Sequence, residues 1–202
     1  MNPSLGAEIL SLSLQHLRLV GITIAIASAI ALPAGVLLAR RPRARRWVLG
    51  FTNIAQTVPS LALFGFLLPF VGIGEHTAIL ALTLYALLPI VRNTLTGILG
   101  VDAAVRESAL AMGMTPRQIL RQVELPLAVP SIVAGLRIAT VTTIGTATVA
   151  AFIGAGGLGV FLVRGIAMMD KQALLAGALP AAAMALAADE GLEWIERKLS
   201  PA

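Results

Sequence analysis

Asn53, Gln56, Thr57 and Ser60 stand at i, i+3, i+4 and i+7, so a helix through them carries all four on one face. Amides and hydroxyls of this kind form hydrogen bonds without charge and without acid–base or nucleophilic power. Set in an apolar stretch, they need partners or water, and the face therefore lines a cavity or bonds to a neighbouring helix. Pro59 interrupts the run and Pro69 follows, which predicts a kinked or broken helix. Tyr85, the one tyrosine, and Thr143 and Thr146 in a threonine-rich run extend the set of lining candidates: Asn53, Gln56, Thr57, Pro59, Tyr85, Thr143 and Thr146.

Reaction chemistry is missing from the chain. It has no GxxxxGK[ST] phosphate loop, nucleophile elbow, paired-carboxylate pocket or metal-binding helix, so no catalytic residue, metal or resident cofactor is expected. His16 and His76 are isolated from acidic residues at ligand spacing. The glycines of Gly154-Ala155-Gly156-Gly157-Leu158-Gly159 lack the preceding strand and following acid of a dinucleotide loop. They mark instead a helix end that unwinds.

The elements that must position these residues are membrane helices. Hydrophobic residues make up 57% of the 202 and charged residues 12%, about half the charged share of a soluble domain. About 20 apolar residues at 1.5 Å each cross a bilayer core. The uncharged runs predict an all-α membrane protein with five spans near 19–39, 48–71, 77–98, 138–163 and 172–191 in a single domain covering 1–202. Met1–Arg18 reads as an amphipathic, interfacial lead-in. It lacks a basic start, so no cleavable signal is expected.

The positive charges orient the spans. Arg40, Arg41, Arg43, Arg45 and Arg46 fall on one side with Arg92, Arg106, Arg117, Arg121, Arg137, Arg197 and Lys198, leaving Arg18, Arg164 and Lys171 opposite. Basic residues stay cytoplasmic. The N-terminus is therefore expected outside, the C-terminus inside, and the arginines explain topology and lipid contact rather than nucleic-acid binding. No acidic residue sits at mid-depth, which argues against a proton- or sodium-coupled carrier.

This topology makes Val101–Pro130 cytoplasmic. Asp102 caps a first short helix, Gly113 stops it, and Thr115-Pro116-Arg117-Gln118 starts a second with a capping box. Leu125-Pro126 is expected to end that second helix. Within this stretch Glu107-Ser108-Ala109, Gly113 and Val123-Glu124-Leu125-Pro126 resemble the EAA–x3–G–x9–I–x–LP motif of ABC importer membrane subunits. Ser108 and Val123 are the two departures. The resemblance implies a type I importer permease fold whose coupling helices, at 101–130, dock on an ATPase through Glu107, Ser108, Ala109, Leu110, Met112, Gly113, Leu125 and Pro126. ATP and Mg would then sit on that partner.

A narrower resemblance covers about 52–165. QTVPSLALFGFLLPFVGIG, LTLYALLPIVRNTLTGI, ESALAMGMT and ATVTTIGTATVAAFIGAGGLG are similar to permeases of osmoprotectant importers, which take up glycine betaine, carnitine, choline or related quaternary amines. It implies a bacterial or archaeal cytoplasmic-membrane subunit. The implied partners are a dimeric ATPase, a second permease (alike or different) and an extracytoplasmic binding protein, with the polar set lining the translocation pathway. Methionine-importer permeases share the core and are the alternative; an ATP-independent channel or carrier is an alternative of another class.

Overall fold

Prolines and glycines divide the chain. In the computed structural model, which describes residues 3–199, α1 (Pro3–Ala39) ends at Arg40-Arg41, and Pro42 opens α2 (Pro42–Thr57). Met1, Asn2 and residues 200–202 lie outside the described residues. Pro59 holds the preceding Val58 extended (φ −71°, ψ 127°), because its ring excludes the helical conformation there. α3 (Ser60–Val71) therefore leaves α2 at a bend of 101°. After Gly72 and Gly74, α4 (Glu75–Leu99) runs through Pro89, followed by α5 (Ala103–Ala111) and α6 (Pro116–Ile119).

Local capping chemistry forms as expected around α5 and α6. The Asp102 carboxylate accepts from the Ala104 amide at 2.9 Å. Gly113, at φ +82°, closes α5 with two bonds: its own amide donates to Leu110 O at 2.9 Å, and the Met114 amide donates to Ala109 O at 3.1 Å. Thr115 and Gln118 complete the capping box.

The expected end at Leu125-Pro126 does not occur. A five-residue π-helical turn, Leu120–Glu124, joins α6 to α7 (Leu125–Ala147). The Leu125 amide reaches back to Leu120 O, and Pro126 falls in the first turn of α7, where a missing N–H is tolerated.

The apolar segment 138–163 is likewise not one helix. α7 stops at Ala147, and a 3₁₀ turn (Val149–Ile153) leads to Gly154, Gly156 and Gly157, all at positive φ. α8 (Gly159–Met168) and α9 (Lys171–Leu199) follow. Continuous apolarity satisfies lipid but does not hold a helix through three left-handed glycines.

Among the described residues four helical stretches are long and apolar enough to cross a membrane, five if α2–α3 counts as one broken span. α4 is the central one. Of its apolar window 61% is buried, against 17% for α9. Close approach to α4 depends on small residues, since lipid gives no hydrophobic drive between helices. A Cβ on Gly135 of α7 would lie 2.6 Å from Asn93 Cβ, and one on Gly35 of α1 would lie 2.6 Å from Thr94 Cγ2.

The Met1–Arg18 lead-in is not a separate interfacial segment. From Pro3 it is continuous with α1, and Leu5, Ile9 and Leu12 pack with Leu158, Phe161 and Ala181 of the α8–α9 region.

Candidate functional site

The bend between α2 and α3 opens a cavity of about 280 Å³. Gln56, Thr57, Val58, Pro59 and Ser60 form one wall; Leu82 and Tyr85 of α4 and Thr142, Thr143 and Thr146 of α7 form the others. Six of the seven lining candidates therefore meet at one place. Asn53, one turn further up α2, is exposed and does not line the cavity.

Backbone chemistry explains why Gln56 points there. Pro89 has no N–H, so within α4 the carbonyl four residues earlier, that of Tyr85, loses its helical donor. Gln56 Nε2 supplies one at 2.9 Å. In return the Tyr85 hydroxyl donates to the Val58 carbonyl, which the extended residue before Pro59 leaves outside any helix. These two bonds pin the bend to α4. The polar face of α2 thus serves both roles that its spacing allowed, bonding a neighbouring helix and lining a cavity.

No charged side chain lines the cavity. Three of the four threonine hydroxyls spend their hydrogens on their own helices: Thr57 on Ile54 O (2.7 Å), Thr142 on Ile138 O (2.6 Å) and Thr146 on Thr142 O (2.9 Å). What they offer a guest is acceptor oxygen. Removing the tyrosine hydroxyl in Tyr85→Phe leaves the Val58 carbonyl unpaired. The expected loss is about 1 kcal/mol, read as a lower melting temperature in detergent; an unchanged melt counts against the pin.

A second site lies on α5, its turn and α6. Glu107, Ser108 and Gly113 are exposed, as are the apolar side chains of Val105 (41%), Leu110 (56%) and Met112 (75%). Ala109 faces the other way and is buried within the chain, so it adds nothing to this outer surface. Leu125 is half-buried and Pro126 exposed, both on the first turn of α7. Among the described residues Glu107 has no ion-pair partner.

Arg106, next to it, pairs instead with Glu124, which is 1% exposed. Glu124 Oε2 accepts from Arg40 Nη2 at 2.5 Å, and its Oε1 lies 3.0 Å from Arg106 Nε, an ion pair whose angle falls short of a hydrogen bond. The motif spacing passed over Glu124 as filler. Its signal was available only in hindsight, as a carboxylate in a chain with ten acidic residues, near a basic cluster 84 positions away.

His16 and Gln15 were also missed. His16 is fully buried and donates from Nε2 to Ile144 O at 3.0 Å, while Gln15 Oε1 accepts from the Gly157 amide at 3.4 Å. Together they tie α1 to the glycine break after α7. Ion pairs Glu8–Arg164 and Arg18–Glu75 support the same end of the bundle.

An all-helical bundle with several spanning-length apolar helices, built round an uncharged polar cavity, defines a multi-pass membrane protein of the transport class. Residues 31–201 match the family of binding-protein-dependent transport system inner membrane components, and the chain belongs to that family. It is 46% identical over 197 residues to the carnitine transport permease protein OpuCD of Listeria monocytogenes, covering 97% of this chain and 88% of that one. The choline transport system permease protein OpuBD of Bacillus subtilis is 47% identical over 188 residues, covering 93% and 83%. The osmoprotectant import permease protein OsmW of Salmonella typhimurium is 43% identical over 196 residues, covering 95% and 91%. Among solved structures, an inward-facing form of the MetNI methionine ABC transporter superposes with a TM-score of 0.89 at 26% identity, with both chains fully covered.

Proposed function

We propose that this chain is the permease subunit of an ATP-driven ABC importer for glycine betaine, carnitine, choline or related quaternary amines. The observation that carries the substrate class is identity of 46–47% across nearly the whole length to permeases named for carnitine and choline transport. The methionine transporter shares the fold at only 26% identity and does not compete on that ground. The cavity chemistry is compatible. A quaternary amine has no N–H to donate, and a wall of uncharged acceptor oxygens meets its polarised C–H groups through weak contacts. With one tyrosine and no aromatic cage, the wall suits passage more than tight capture. Selection then belongs to a separate extracytoplasmic binding protein.

In this reading the arginine-rich end is cytoplasmic, the N-terminus outside and the C-terminus inside, with α2–α3 counted as a fifth, broken span in the cytoplasmic membrane. The exposed Val105, Leu110 and Met112, with Glu107 beside them, dock on one ATPase subunit of a dimer that holds ATP and Mg. A second permease subunit completes the path. Reconstitution with the ATPase and binding protein should give ATP-dependent uptake of glycine betaine, choline or carnitine and none of methionine. Uptake of methionine alone overturns the substrate class, and uptake without ATP overturns the mechanism.

A further inference from the structure

Glu124 is the one carboxylate of the α5–α7 region that the chain buries. Its counter-ions come from elsewhere. Arg40 directly follows α1, and Arg106 belongs to α5. Arg106 reaches further, donating from Nη2 to the carbonyl of Ile98 at the end of α4. Glu124 itself closes the π-helical turn that opens into α7. The ends of α1 and α4, the body of α5 and the start of α7 therefore converge on a single buried carboxylate.

Such a centre resists shear. A buried carboxylate parted from its cations is left uncompensated in low dielectric, which is strongly unfavourable. Any displacement of α5 must then either break Glu124 from Arg106 or carry α1, α4 and α7 along. Arg40 and Arg106 are half and about one-third exposed, so the cations keep partial contact with water while the carboxylate between them, at 1% exposure, depends on both. A π turn, with its wider ring, is a place where such a helix can flex, and these turns gather at functional positions.

We infer that Glu124 is the positioning residue that turns movement of the outward α5 surface into movement of the spans, holding α5, the end of α1 and the start of α7 as one block through Arg40 and Arg106. The two glutamates of the stretch divide the work. Glu107 faces outward with no ion-pair partner among the described residues, whereas Glu124 faces inward with two. This inference rests on the docking of α5 on an ATPase, and its test separates the two.

The complete transporter, purified with its ATPase and binding protein, is reconstituted in liposomes, and glycine betaine uptake and ATP hydrolysis are measured together. Co-purification of the ATPase and ATP-driven uptake by the wild type, with choline and carnitine tried beside glycine betaine, together with loss of that co-purification in Gly113→Asp, support the docking reading; a Gly113→Asp variant that keeps both sinks that reading whatever Glu124 does. Glu124→Gln keeps the size and loses the charge. It should co-purify with the ATPase and hydrolyse ATP at a rate within about twofold of wild type, while uptake per ATP falls about tenfold or more, as expected for loss of an interaction that acts through position. Glu124→Asp, which keeps the charge, should recover most of that ratio. An assembled Glu124→Gln transporter with the wild-type ratio overturns the inference, as does a Glu124→Asp variant no better than Glu124→Gln. If Glu124→Gln fails to assemble, Arg40→Gln, which leaves the Arg106 pair, is put through the same measurement. A fallen ratio then supports the inference and an unchanged one overturns it.

Discussion

Gly159→Ala is expected to remove folded protein from the membrane fraction. A Cβ at this position would lie 1.9 Å from the Thr148 carbonyl oxygen, 2.7 Å from its carbonyl carbon and 2.8 Å from Ala151 Cβ. Two of those neighbours are backbone and cannot swing aside. The start of α8 would have to move away from the end of α7, and with it the packing of Leu158 and Phe161, both fully buried against Leu12 and Ala181. Overpacking with side-chain relief costs about 1–3 kcal/mol; without relief the loss is above the top of that range. The measurement is yield and melting temperature of purified protein in detergent. Gly21→Ala is the control: nothing lies within 4 Å of its Cβ, and the effect there should be within about 1 kcal/mol of neutral, on the stabilising side. Equal behaviour of the two variants refutes the steric assignment.

Gly113→Asp is expected to leave folding nearly intact and to lower transport about tenfold or more, as for an interaction made only in the working complex. No atom lies within 4 Å of a Cβ there, so the cost inside the chain is that of φ +82° for a side-chain residue, about 1–2 kcal/mol. The larger effect is external. The turn stands between the exposed Leu110 and Met112 on one side and the Thr115 cap on the other, and a carboxylate placed there sits on the surface assigned to the ATPase. Gly113→Ala carries the strain without the charge and separates the two contributions. ATPase co-purification and coupled uptake are the readouts, and unimpaired uptake by Gly113→Asp removes the turn from the docking surface.

These positions show what the sequence exposes. Capping is local chemistry, so Asp102, Gly113 and the Thr115–Gln118 box were legible from residue types a few positions apart. The cavity was legible in part, because a polar face on an apolar helix has few places to go. Gln56, Thr57, Pro59, Tyr85, Thr143 and Thr146 converge, but the spacing alone could not say that Asn53 falls outside. Apolar length misled at 138–163 because hydropathy records what lipid accepts, not where the backbone turns. Pro126 misled because a π turn absorbs it, and the lead-in misled because its partners on α8 and α9 lie far along the chain. Glu124 was hidden for the same reason, its meaning residing in Arg40 and Arg106 rather than in its neighbours.

The bond from Gln56 to the Tyr85 carbonyl has one more consequence. Pro89 guarantees that this carbonyl has no helical donor, whatever the conformation of α2. If the bend swings away from α4, the oxygen is left bare at membrane depth, at a cost of about 1–3 kcal/mol unless another donor arrives. The Val58 carbonyl, released by Tyr85, is in the same position. Separation of α2 from α4 is therefore tied to hydration: parting them dry leaves two bare carbonyls, and water or another donor entering the gap offsets that cost.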